Sequence, residues 1–157
     1  RTQLRVKDDE MILPRGITGF WGTATAPPPH LDEKAFCQMC YSIAMENGGT
    51  VTELDTDTYP RNFYSAQIRR HDDAVFILQN IHYPYAAFAQ RDGFGGFVLT
   101  SQPEWFRLST GLVHFQSLAE LNQGWHNSCG ELSSEELEQI RYWRAQTIGE
   151  IIFNSWD

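Results

Sequence analysis

Long hydrophobic runs are missing from this sequence of 157 residues: the longest, such as Ala74 to Leu78, fall far short of the ~20 residues a membrane-spanning helix requires. Nor does a basic segment followed by an apolar one open the chain, so a soluble, cytoplasmic protein is expected. Basic residues are scarce: twelve lysines and arginines face twenty acidic residues, for a formal charge of -8. That balance argues against nonspecific adhesion to nucleic acid or anionic lipid and favours a basic partner. Cysteine is limited to three residues, an odd number that suits a reducing compartment better than a disulfide framework. The HExxH, GxSxG and P-loop patterns are absent, and the glycine-rich Arg91 to Phe97 contains no GxGxxG between a strand and a helix. Neither a zinc hydrolase, a serine hydrolase nor a nucleotide-binding loop is therefore expected, and no cofactor is implied.

What is present fits one globular domain. A chain of this length can bury roughly 68–70% of its unfolded surface, and 41% hydrophobic with 20% charged residues is ordinary for such a domain. Residues 1–10, "RTQLRVKDDE", hold three basic and three acidic groups and little that is apolar, so they are expected to be an extension, with the domain over residues 11–157. "GITGFWG", Gly16 to Gly22, is expected to be a short strand, and "APPPH" a stiff connector. Asp32 is a fitting N-cap for a helix whose Phe36, Met39, Cys40 and Ile43 recur at helical spacing until Gly48-Gly49.

From Thr50 to Thr100 the pattern turns to β: apolar and β-branched segments are separated by "YPRN", "HDD", "YPY" and "RDGFGG". A further strand is expected at "LVHFQS", Leu112 to Ser117, after a helical turn in "PEWFRLS". Ser133 with Glu136 and Thr147 with Glu150 each form a capping box opening a helix, with Ile148, Ile152 and Trp156 at intervals of four. The expected fold is α+β: a central antiparallel sheet of five to six strands, one helix before it and two after.

Several candidate sites stand against plainer explanations. Cys37 and Cys40 with His126 and Cys129 have zinc-like spacings, yet the CxxC lies within a helix, where buried thiols are the simpler account. His82 ends a strand with apolar residues on both faces, so Asn80 and His82 are expected as hydrogen-bonded polar groups. A ligand pocket drawing on His82, Tyr83, Tyr85 and His114 is the rival expectation. The carboxylates Glu53, Asp55 and Asp57 alternate along one strand, and Glu131, Glu135, Glu136 and Glu138 gather at a helix start. Helix capping and a solvated face explain them, or they meet the basic groups of a partner.

The phrases "GITGFWG", "NFYSAQI", "IHYPYAAFA" and "IRYWRAQTIGEIIFNSWD" resemble those of small acidic immunity proteins that accompany polymorphic, contact-delivered bacterial toxins, over Gly16 to Asp157. The resemblance implies an α+β protein without catalytic residues that neutralises a cognate toxin domain, often a nuclease, by stoichiometric binding. The expected contact surface comprises Glu53, Asp55 and Asp57 with Tyr59, Phe63 and Tyr64.

Overall fold

The computed structural model describes residues 11–22, 26–108, 111 and 113–156. Residues 1–10, Leu112 and Asp157 lie outside this set, and with them the expected extension and the start of the expected strand at Leu112 to Ser117.

Helix α1 spans Glu33–Glu46, with the Asp32 carboxylate accepting from the Lys34 amide at 3.2 Å as N-cap. It ends at Asn47 and at Gly48, whose φ of +69° is one a side chain rarely adopts. Gly49 must then stay small, since a Cβ there would stand 2.6 Å from the Arg69 carbonyl oxygen.

Strands β1 (Thr50–Asp55), β2 (Phe63–Arg70), β3 (Asp73–Asn80), β4 (Tyr85–Arg91) and β5 (Phe97–Thr100) form an antiparallel meander in that order. A two-residue strand β6 (His114–Phe115) adds to β4 in parallel, opposite Tyr85 and Ala86. The expected strand is thus real but minimal. It enters beside β4 at the Pro84 end, where the His114 amide donates to the Pro84 carbonyl at 2.8 Å. The turn expected in "PEWFRLS" is present over Pro103 to Phe106, closed by Phe106 N–H to the Pro103 carbonyl at 3.1 Å, while Ser109 lies outside the described residues.

Side-chain alternation divides the core. On one face Tyr64, Ala66, Ile68, Val75, Ile77 and Phe88 meet Phe36, Met39, Cys40 and Ile43 of α1. On the other, Phe63, Phe76, Leu78 and Ala89 form a smaller cluster, joined by a larger one around Ile140, Ile148, Ile151 and Ile152. These last residues come from α3 (Ser134–Trp143) and α4 (Ile148–Ile152), which follow a single-turn α2 (Leu118–Leu121). All three start with a complete capping box: Ser117 with Glu120, Ser133 with Glu136, Thr147 with Glu150. The α+β architecture is as expected. Trp156, however, lies beyond the end of α4, so its burial comes from the returning chain and not from a helical face.

One expected element is absent. "GITGFWG" is not a strand, because Gly16, Gly19 and Gly22 take φ of +93°, +91° and +88°. Three left-handed residues at intervals of three fold the segment into consecutive turns, with Ile17 N–H to Pro14 O and Gly19 N–H to Gly16 O. Among the described residues no helix is long and apolar enough to cross a membrane.

Candidate aromatic cleft and its polar frame

The turns from Gly16 to Gly22 satisfy only part of their own backbone, and side chains from α3, from beside the sheet and from after α4 satisfy more of it. Glu136, fully buried in α3, accepts from the Gly16 amide at 3.0 Å, the Thr18 amide at 3.2 Å and the Thr18 hydroxyl at 2.5 Å. The same carboxylate takes the Ser133 amide at 3.0 Å, so one side chain both caps α3 and anchors the N-terminal turns.

Three buried asparagines complete this frame. Asn62 and Asn80 both donate to the Ile17 carbonyl, at 2.8 and 3.0 Å, and Asn154 donates to that of Thr18 at 3.2 Å. Asn80 also reaches the Ile152 carbonyl at 2.8 Å, while the Asn62 side-chain oxygen accepts from the Asn154 amide at 2.7 Å. Chain start, sheet and chain end are thereby tied at one place.

Above this frame opens a cleft of about 290 Å³ walled by the Phe20–Trp21 turn, His30, the Thr58–Asn62 connection, His82 and Trp156. The Tyr59–Pro60 peptide bond in its wall is cis. The His82 Nδ1 lies 2.8 Å from the Pro29 carbonyl and must carry the proton to donate there, leaving Nε2 as the unprotonated nitrogen of the neutral ring. Burial holds the His82 pKa below the ordinary histidine value, against the opposing pull of that carbonyl, and nearby His30 adds to the lowering. Trp21 and His30 each approach His82 edge to face, with centroids 5.6 and 6.0 Å away.

The rings continue past the cleft. Phe20 lies 6.4 Å from Trp156, which is parallel to Trp143 at 6.5 Å and 3°, and Trp143 meets Tyr142 at 5.4 Å. This belt reaches solvent at Tyr59, 82% exposed, Tyr142, 75%, and Trp143, 40%. Charged groups border it: Glu135 and Glu138 share the outward face of α3 with Tyr142, the Glu135 carboxylate lies over Gly22, where a Cβ would meet it at 2.7 Å, and the exposed Arg141 and Arg144 flank Tyr142 and Trp143 at the helix end.

Of the residues expected to face a partner, Tyr59 alone joins the belt. Phe63 and Tyr64 are corrected to core positions, 3% and 1% exposed; they face opposite sides of β2, and the Tyr64 hydroxyl donates to the Leu31 carbonyl at 2.7 Å. Glu53 pairs with Arg91 at 2.7 Å, and Asp55 pairs with Arg61. Burial raises the Asp55 pKa, but the Arg61 hydrogen bond, the Asp57 amide and the charges of Arg61 and Arg91 outweigh it and hold the carboxyl below its ordinary range. Beyond a β-bulge between Val51 and Glu53, Glu53 and Asp55 do alternate along β1, but Asp57 lies past the end of the strand at Asp55 and so does not continue the expected row. The carboxylates of β1 thus answer arginines of their own chain, which the sequence pattern did not reveal.

The zinc-like set is not assembled. Cys40 lies in the α1 core, where burial pushes its thiol pKa far up, whereas Cys129 packs against the cluster around α3 and α4. His126 stacks on Trp125 at 4.2 Å, and among the described residues no three histidine, cysteine, aspartate or glutamate side chains gather as metal ligands. The pocket expected around His82, Tyr83, Tyr85 and His114 is likewise dispersed. Of these, only His82 lines the cleft; Tyr83 donates to the Arg15 carbonyl at 2.6 Å, and Tyr85 packs edge-on against His114 at 6.3 Å. The aromatic belt itself was missed because its members lie up to 136 positions apart, from Phe20 to Trp156. The only signal available was the concentration of tryptophan and tyrosine near the chain end.

Comparison of the chain with protein-family models, curated proteins and solved structures finds no match.

Proposed function

We propose that this protein is a stoichiometric inhibitor of the immunity type, which binds and neutralises a basic bacterial toxin domain through the aromatic belt and its acidic border. The observation that carries this reading is the exposure of Tyr59, Tyr142 and Trp143 in one belt next to Glu135 and Glu138. Tyrosine and tryptophan are the residues that most often anchor protein interfaces, and like-signed charge around them speeds the approach of an oppositely charged partner. The formal charge of -8 extends that attraction over the whole molecule. Inhibition follows from occupancy: an acidic protein seated where a nuclease takes its substrate presents carboxylates in the place of phosphates.

The test starts at the neighbouring gene, which should encode a large secreted protein with a toxic C-terminal domain; the absence of one overturns the reading, and its presence allows co-expression of that domain with this protein. Growth rescue and a one-to-one complex are expected, with affinity falling as salt rises. Truncating Trp143 to alanine should weaken the complex by about 2 kcal/mol, roughly thirtyfold. A toxin domain that stays fully active beside an excess of this protein overturns the function. A complex indifferent to both Tyr59→Ala and Trp143→Ala overturns the surface.

A further inference from the structure

Resting on the interface reading above, we infer that the cleft is a receptor for one basic side chain, a lysine or arginine projecting from the partner. At about 290 Å³ the space is small for an independent ligand but suited to a single long side chain. Rings of Trp21, His30, Tyr59, His82 and Trp156 form much of its wall, beside smaller groups such as Thr18, Pro60 and Ile81. Aromatic walls hold a cation through the negative faces of the rings while the aliphatic stem packs between them.

Arg61, the one cation in the wall, does not repel such a guest. Its guanidinium is bound to the Asp55 carboxylate and to the Asp57 carbonyl at 3.1 Å, and it lies 5.3 Å over the Phe63 ring. The pair is electrically closed and turned toward the sheet. At neutral pH His82 adds no charge, because burial already disfavours its protonation. Carboxylates flank the lining: exposed Asp57 directly precedes Thr58 of the wall, and the Glu135 carboxylate lies over Gly22, the neighbour of Trp21. An anionic or neutral side chain would gain the walls but not this field.

The probe is a blocked glycyl-arginyl-glycine peptide, with its lysine counterpart and the neutral citrulline analogue, titrated against the whole chain by heteronuclear NMR. The arginine and lysine peptides should shift the Trp21 and Trp156 indole signals, and citrulline should bind about tenfold more weakly. Tyr59, 82% exposed, can be truncated without disturbing the core, and Tyr59→Ala should lower arginine affinity several-fold. Asp55→Asn, which leaves Arg61 uncompensated, should lower it as well. Equal binding of citrulline and arginine overturns the inference, as does an absence of shifts at these indoles. The peptide result is independent of the toxin. Peptide binding beside an unbound toxin domain refutes the function alone, whereas a tight toxin complex without peptide binding refutes the cleft's role alone.

Discussion

The two sides of the sheet are held together by different forces. Against α1 the contact is apolar: Phe36, Cys40 and Ile43 are at most 1% exposed and face a surface of Ile68, Val75 and Ile77. On the opposite face Asn62, just before β2, Asn80 of β3 and Glu136 of α3 each satisfy backbone groups of the turns from Gly16 to Thr18. Apolar packing tolerates small shifts, but a buried polar network is worth having only when every member is paired. The polar side therefore fixes one geometry for an irregular segment, and the aromatic cleft stands on that segment. Binding groups on turns positioned by a rigid scaffold are a common arrangement.

The largest test of this contrast is Glu136→Ala. It strips the acceptor from the Gly16 and Thr18 amides and from the Ser133 cap at once, leaving buried donors unpaired. A loss of about 4 kcal/mol in denaturant unfolding is expected. A loss under 1 kcal/mol would mean that water replaces the carboxylate and that the frame is not closed.

Asn80→Ala comes next. Its amide links the Ile17 and Ile152 carbonyls, and its oxygen accepts from the amides of His82 and Tyr83 at 2.9 and 3.0 Å. About 2–3 kcal/mol should be lost, and cleft binding should fall with it. On the α1 side, Cys40→Ala removes one buried sulfur and should cost only about 1 kcal/mol, with binding unchanged. If Cys40→Ala weakened partner binding as much as Asn80→Ala, the division of labour between the two sides would be wrong.

The same contrast decides what was legible in the sequence. Helix α1, the five-strand meander and the boxes at Ser133 and Thr147 rest on spacings within a few residues, and the structure reproduces them. The polar side rests on pairings between distant positions, such as Glu136 with Gly16, 120 residues away. Local pattern made "GITGFWG" apolar enough to pass as a strand; only the demand of its three glycines for positive φ betrays the turns. At the candidate site the acidic residues were legible as charges, but not their arginine partners. Asp55 with Arg61 is a local pair that a strand-to-loop spacing could suggest, whereas Glu53 with Arg91 joins β1 to the end of β4 across two intervening strands.

Acidification probes the polar side at His82. Its folded pKa is depressed by burial, so the unfolded chain takes up the proton first as pH falls. The stability that the neutral ring contributes is complete above the ordinary histidine value of about 6.5 and is lost as pH drops through the lower folded value. Unfolding followed between neutral and mildly acid pH should therefore show a fall in stability that His82→Gln flattens. An unchanged slope in that variant would place the acid sensitivity elsewhere.

The smallest effect is expected at β1. Glu53 and Arg91 each keep 49% of their side-chain surface exposed, so solvent screens their pairing. Glu53→Gln should change stability by less than about 1 kcal/mol. Arg91 also lies 4.9 and 5.1 Å over the Phe76 and Phe97 rings, which hold it in place after the carboxylate is removed. On partner binding the same substitution should act only through net charge, giving a slight decrease in association rate that added salt abolishes. If Glu53→Gln instead raised the dissociation rate as Trp143→Ala is expected to do, the contact surface would include β1, and the edge of the sheet rather than the aromatic belt would be the anchor.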